Sequence, residues 1–223
     1  MDLQALLLSL RLAAATTALL ALLGMPLAAW LAFGRARWKP LVEALVALPL
    51  VLPPTVLGFY VLLALGPAGP LGRLLDPWGI RLAFSFPGLL LASVLYSLPF
   101  AVQPFAAGFA GVPPRFREAA ATLGAGPWRS FRQVVLPLAW PGVLTGLVLS
   151  FAHTLGEFGV VLMVGGNIPG RTRTVSIAIF DQVQALEYGA AARTAGVLVA
   201  FSFLVLLLTY GLRRGKDAPW RLF

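Results

Sequence analysis

The sequence predicts an all-α integral membrane protein, and three observations carry that prediction. Of its 223 residues, 59% are hydrophobic and only 11% charged, and the mean hydropathy is +0.88, too apolar for a soluble domain. Uncharged runs long enough to cross a bilayer recur five times. Basic residues collect in alternate connections between those runs, the pattern of loops retained in the cytoplasm. The formal charge of +9 is therefore topological and does not point to nucleic acid, because the Lys and Arg residues are not gathered into a groove. With no cysteine, disulfides, thiolate metal sites and cysteine nucleophiles are excluded.

A hydrocarbon core of about 30 Å takes about 20 helical residues. The uncharged runs are 12–33, 44–65, 82–110, 134–152 and 194–212. With their flanks they predict five transmembrane helices at roughly 6–33, 41–65, 82–110, 133–156 and 193–212, together forming a single transmembrane domain over 1–223. The first run resembles a signal peptide only superficially: no basic residue precedes its leucines, and it continues past a signal core, so it is read as a span. Connection 34–40 (Arg35, Arg37, Lys39), connection 111–133 (Arg115, Arg117, Arg129, Arg132) and the tail (Arg213, Arg214, Lys216, Arg221) hold eleven of the seventeen basic residues. On the other side Arg11, Arg73, Arg81, Arg171, Arg173 and Arg193 are nearly balanced by Asp2, Asp76, Glu157, Asp181 and Glu187. The N-terminus is expected outside and the C-terminus inside. Between the last two spans, 158–193 is too short and too charged for another crossing. It is read as a short re-entrant or interfacial piece, the turn Gly165-Gly166-Asn167-Ile168-Pro169-Gly170, and an amphipathic external helix.

The connection 111–133 contains a short helix with its ends built in. Pro114 suits the first turn, where its missing N–H is not needed, and Gly124 suits a left-handed stop. Pro127 then starts a second helix through Trp128, Phe131 and Val134 toward the membrane. Ala119 and Ala120 leave room for another surface to come close. Glu118-Ala119-Ala120, three residues, Gly124, nine residues, Val134, one residue and Leu136-Pro137 resemble the EAA loop of ABC importer permeases, departing at Val134, where isoleucine is usual. The resemblance implies a coupling helix seated in a groove of a cytoplasmic ATPase. It implies contact through Ala119, Ala120 and Leu123, a polar or charged contact through Glu118 with Arg117 beside it, and a turn at Gly124. The plainer alternative is an amphipathic connector.

Two further stretches resemble molybdate permeases within that family. One is Leu48-Pro49-Leu50-Val51-Leu52-Pro53-Pro54-Thr55-Val56-Leu57-Gly58-Phe59-Tyr60. The other is Gly156-Glu157-Phe158-Gly159 followed by Asn167-Ile168-Pro169-Gly170-Arg171-Thr172-Arg173-Thr174. Sulfate permeases share the Gly-Glu-aromatic-Gly step but less of the Asn-Ile-Pro-Gly run, so a sulfate-type oxyanion permease is the alternative. Tungstate is a tetrahedral dianion of nearly the same size as molybdate. The resemblance implies a multi-pass protein of a prokaryotic cytoplasmic (inner) membrane. Its implied partners are two cytoplasmic ATPase subunits, which bind ATP and Mg, and an external binding protein. The chain itself has no phosphate loop and no cofactor is expected in it. Five helices give too little wall for a dianion path, so a homodimer is expected.

Candidate path residues come from the residues themselves. Pro53 and Pro54 (with Pro49) remove backbone donors inside a span, which fits either a gate element or a static kink. On the fourth span Gly142, Gly146, Ser150, His153 and Glu157 share one face, small and then polar. Gly142 and Gly146 permit close approach of another helix. His153 and Glu157 either border the translocation path or outer gate, or sit in the headgroup zone bonded to loop backbone. Arg171 and Arg173 either attract an oxyanion or binding-protein surface, or are solvated or headgroup-bound charges. A metal site is not expected, since one His and one Glu supply too few ligands. An ion-coupled secondary transporter would carry acids buried mid-span, and none of the eight acids lies there. No catalytic constellation appears.

Overall fold

The computed structural model describes residues 2–214, with side chains described through Leu207; the basic tail counted above lies outside those side chains. Helix α1 (Leu3–Phe33) is capped by Asp2, whose Oδ1 accepts from the Ala5 N–H at 3.0 Å, and widens into one π turn at Leu20–Gly24. Two shorter helices, α2 (Lys39–Val51) and α3 (Pro54–Leu65), occupy the second predicted span. They are separated at Leu52 and Pro53, both extended, because two successive prolines leave no N–H to continue the ladder. After α4 (Pro70–Leu75) and a 3-10 turn at Asp76–Trp78 comes α5 (Phe86–Ala110). Its start lies beyond the predicted 82 because Ser85 caps it, accepting from the Gly88 N–H.

The remaining elements are α6 (Pro114–Thr122), α7 (Pro127–Leu138), α8 (Trp140–Gly156), α9 (Gly159–Gly165), α10 (Val175–Gln184) and α11 (Tyr188–Arg214). Four stretches are long and apolar enough to cross a membrane: Leu3–Phe33, Pro54–Trp78, Phe86–Ala110 and Tyr188–Leu207. Helices α7 and α8 make a fifth if counted as one span, but they are bent by 74°. The fourth span expected at 133–156 falls on this bent pair. Pro137 and Pro141 flank the bend and remove two donors from the ladder around Ala139, which is where the chain turns.

Helix α5 is the axis of the packing. Of its apolar stretch 44% is buried, against 11% for α11, so α5 is much the more enclosed by the rest of the chain. At the α6 end, Phe105 and Phe109 of α5 are fully buried with Leu20 and Ala28 of α1, Val46 of α2 and Val135 of α7. At the opposite end, Val61 and Leu65 of α3 pack with Ala92 of α5 and Val160 and Val164 of α9. A third cluster joins Leu12, Leu89, Val161 and Ile177 from α1, α5, α9 and α10. Helix α9 is thus enclosed by protein at Val160, Val161 and Val164.

Candidate functional site

Two regions gather the residues singled out above. The first is α6. Pro113 precedes it in an extended conformation, Pro114 opens it, and Gly124 follows it at φ +77°, where a side chain would be strained. The Gly124 and Ala125 N–H groups donate back to the carbonyls of Ala121 and Ala120, closing the helix end. Glu118 and Ala119 are exposed, Ala120 is buried, and Leu123 is 87% exposed. Phe116, Ala119, Ala120, Leu123, Arg129 and Val134 line a shallow groove of about 330 Å³, and Trp128 beside it is also exposed. An exposed leucine, an exposed tryptophan and an apolar groove on a charged connection form a surface suited to a protein partner. Arg117 is not part of it: its guanidinium lies 4.4 Å over the Phe33 ring, and its Nε is buried without a hydrogen-bond partner among the described residues. It ties α6 to the end of α1 instead of facing outward, a placement that spacing alone did not reveal.

The second region is at the opposite end of α8. Gly146 is buried against α5, where an added Cβ would lie 2.6 Å from the Phe105 ring and 2.8 Å from the Ala101 carbonyl oxygen. Gly142 meets Gly108 in the same way, so the close approach expected of this pair is made by α5. Beyond them Ser150 is buried, its hydroxyl donating to the Leu147 carbonyl. His153 is stacked on Phe100 at 3.9 Å, with Tyr96 at 4.8 Å, and its Nδ1 lies 3.0 Å from Ser97 Oγ. The same Ser97 hydroxyl is 2.8 Å from Thr154 Oγ1. Sequence reasoning passed over Tyr96, Phe100 and Thr154 and placed no weight on Ser97; only three-dimensional packing links them.

Glu157 is 4% exposed, just past the end of α8, and neither carboxylate oxygen has a hydrogen-bond partner among the described residues. Ser93, buried on α5, has its hydroxyl beside the Glu157 carboxyl. Neither the His153 nor the Glu157 side chain is bonded to loop backbone among the described residues. The helix break that follows Glu157 is packed on the break in the second span: a Cβ on Gly159 would lie 2.7 Å from Pro54 Cβ. Pro53 and Pro54 are exposed, at the junction of α2 and α3. Pro54 thus packs on Gly159, two residues beyond Glu157, while His153, Ser150 and Gly146 lie successively further back along α8. No group of three or more His, Cys, Asp or Glu residues able to hold a metal occurs among the described residues. Replacing Glu157 by glutamine keeps its shape and exchanges a buried acid for a neutral amide. E157Q is expected to leave the thermal midpoint unchanged or raise it by about 2–4 °C per kcal/mol gained, measured by fluorescence-detected unfolding in detergent. A marked fall would show that the carboxylate is paired in the assembled protein.

The loop 167–174 has a defined role for Arg173. Its Nε donates to Asn167 Oδ1 at 2.6 Å, and its guanidinium nitrogens lie 3.8 Å from Asp2 and 3.4 Å from Asp181. Asn167 in turn donates to Asp181 at 2.6 Å. Arg173 is a clamp between α1, this loop and α10, not a free attractor of anions.

Comparison with known proteins fits this arrangement. Residues 24–216 match the family model described as binding-protein-dependent transport system inner membrane component. The chain is 56% identical over 216 residues to the molybdenum transport system permease protein ModB of Azotobacter vinelandii, covering 96% of each. It is 37% identical over 168 residues to the sulfate transport system permease protein CysT of Escherichia coli (strain K12), covering 75% of this chain and 61% of that one. Among solved structures, the inward-facing MetNI methionine ABC transporter has a chain of the same fold, with a TM-score of 0.76 at 16% identity, covering 96% and 95% of the two chains.

Proposed function

We infer that this chain, which belongs to the binding-protein-dependent transport system inner membrane components, is the permease subunit of an ATP-driven ABC importer that carries molybdate across the inner membrane. It is not an enzyme; ATP is hydrolysed by a separate subunit. Near full-length identity of 56% to a molybdenum permease, against a shorter and weaker match to a sulfate permease, selects the oxyanion. Tungstate, with nearly the same size and charge, is expected to share the path.

The observation that carries the mechanism is the surface of α6. A nine-residue helix closed at Gly124, presenting Glu118, Ala119 and Leu123 outward, is a rigid docking element on a basic connection. Basic connections are cytoplasmic, so the helix faces the compartment that holds ATP. The arrangement proposed is five spans with the N-terminus outside, the 1–223 chain acting as one transmembrane domain. Two copies face each other, with two ATPase subunits beneath and a binding protein above. ATP and Mg are held by those ATPases. Their closure draws the paired α6 helices together through Ala119, Ala120, Leu123 and Glu118. Arg117, seated on Phe33, passes the movement to α1. The outer gate is proposed at Pro53, Pro54, His153 and Glu157, where two helix breaks are packed on each other, with Gly146 and Ser150 lining the approach. Alternating access follows from switching these broken elements between two packings.

Reconstituted vesicles holding the chain, its ATPase and its binding protein test the whole reading. Uptake of molybdate is expected, dependent on ATP, competed by tungstate and little affected by sulfate. Uptake that persists without the ATPase, or preference for sulfate, contradicts it. The mass of the detergent-solubilised complex tests the two-copy arrangement separately.

A further inference from the structure

A cleft of about 620 Å³ opens between α1 and the loops at the end of the molecule opposite α6, lined by Gln4, Leu7, Leu8, Arg11, Phe86 and Arg171, among others. Two guanidinium groups reach it, and neither forms an ion pair among the described residues. The contrast with Arg173, two positions from Arg171, is direct: that residue is held between Asp2 and Asp181. Arg11 lies 4.7 Å over the Phe86 ring, which fixes the plane of its guanidinium and leaves its edge free to donate. The cleft is amphipathic, because Leu7, Leu8 and Phe86 supply apolar wall.

Depth decides what such a cleft meets. The uncharged run 12–33 of α1 rises about 33 Å as a helix, close to one hydrocarbon thickness. With Phe33 followed at once by the basic connection that marks one interface, Arg11 stands at the plane of the other interface, level with lipid phosphates. Arginine matches a phosphate diester with two parallel donors, and the apolar wall accommodates the start of an acyl chain.

We propose that this cleft is a binding site for an anionic phospholipid of the outer leaflet, whose phosphate is held by Arg11 and Arg171 while its glycerol and upper chain lie on Leu7, Leu8 and Phe86. The lipid wedges α1 against the loop that leads into α10, beside the residues proposed for the outer gate. The inference rests on the orientation proposed above, and the experiment separates the two.

The assembled transporter is exchanged into nanodiscs of phosphatidylcholine with a minor fraction of phosphatidylglycerol, and retained lipid is counted by native mass spectrometry after release. The wild type is expected to retain phosphatidylglycerol preferentially, and R11Q/R171Q to lose that preference by roughly 30-fold. R11K/R171K, which keeps the charge, is expected to retain much of it, and R73Q, an arginine outside the cleft, all of it. Equal retention by wild type and R11Q/R171Q overturns the site, as does equal loss in R73Q, which would indicate a diffuse charge effect. Displacement of phosphatidylglycerol by inorganic phosphate in lipid-poor detergent also overturns it, since the cleft would then be a soluble-oxyanion site. The chain has no cysteine, so a single Q4C label reports the side of α1 independently. Lipid binding with Gln4 on the inner side would overturn the orientation; no lipid binding with Gln4 outside would overturn the site alone.

Discussion

L123D is expected to abolish uptake and to release the ATPase subunit during purification, while the permease itself still inserts and unfolds at its normal temperature. Leu123 is 87% exposed, so nothing in the chain depends on it for folding, and surface changes of this kind shift stability by about 0.5 kcal/mol at most. On the proposed docking, the same leucine enters an apolar groove of the partner. Losing its burial costs about 1.5–3 kcal/mol, and enclosing an unpaired carboxylate in its place costs several more. A loss of about 4 kcal/mol corresponds to nearly a thousandfold in affinity. L123A, which loses burial without adding charge, is expected to weaken association by roughly tenfold. Co-purification and uptake measured side by side check both. Normal transport by L123D would remove α6 from the coupling path.

G146V is expected to have the second large effect, through the fold instead of the partner. A Cβ there meets the Ala101 carbonyl oxygen at 2.8 Å and the Phe105 ring at 2.6 Å. The ring can rotate away, but the backbone oxygen cannot, so α5 and α8 must separate. Because α5 is the element on which most of the others pack, the displacement spreads to both ends of the molecule. Overpacking of this kind costs about 3 kcal/mol, equivalent to a fall of roughly 6–12 °C in thermal midpoint for a chain of this size. G196V is the control: Gly196, on α11, has nothing within 4 Å of where its Cβ would stand among the described residues. Thermal unfolding of the two variants in detergent is expected to differ accordingly, and equal stability would show that α5 and α8 are not in the described contact.

How much was legible in the sequence depended on whether the signal was local. The apolar runs and the two ends of α6 are local: Pro114 opens the helix and Gly124 closes it whatever the rest of the chain does. The Gly142 and Gly146 pair announced a close helix contact, though not that α5 makes it. Other features were hidden because they are relations between distant residues. The uncharged character of 134–152 concealed a 74° bend, although Pro137 and Pro141 were visible beside it. Arg117 reads as a surface charge until the end of α1 is placed beneath it. His153 and Glu157 shared a helix face in sequence, but their surroundings on α5, Ser97 and Phe100 for His153 and buried Ser93 on the same helix, follow only from packing. Arg171 and Arg173 look equivalent as a basic pair, yet one is clamped by two aspartates and the other is not.

The central claim is that α6 docks on an ATPase, and the absence of native cysteines allows a direct reading of it. A single cysteine at 123 is labelled with a maleimide in the isolated chain and in the assembled transporter. Labelling in the complex is expected to be slower by on the order of tenfold or more, because thiol reactivity follows access, and to change on adding ATP. Labelling at the same rate in both, with and without ATP, would contradict the claim.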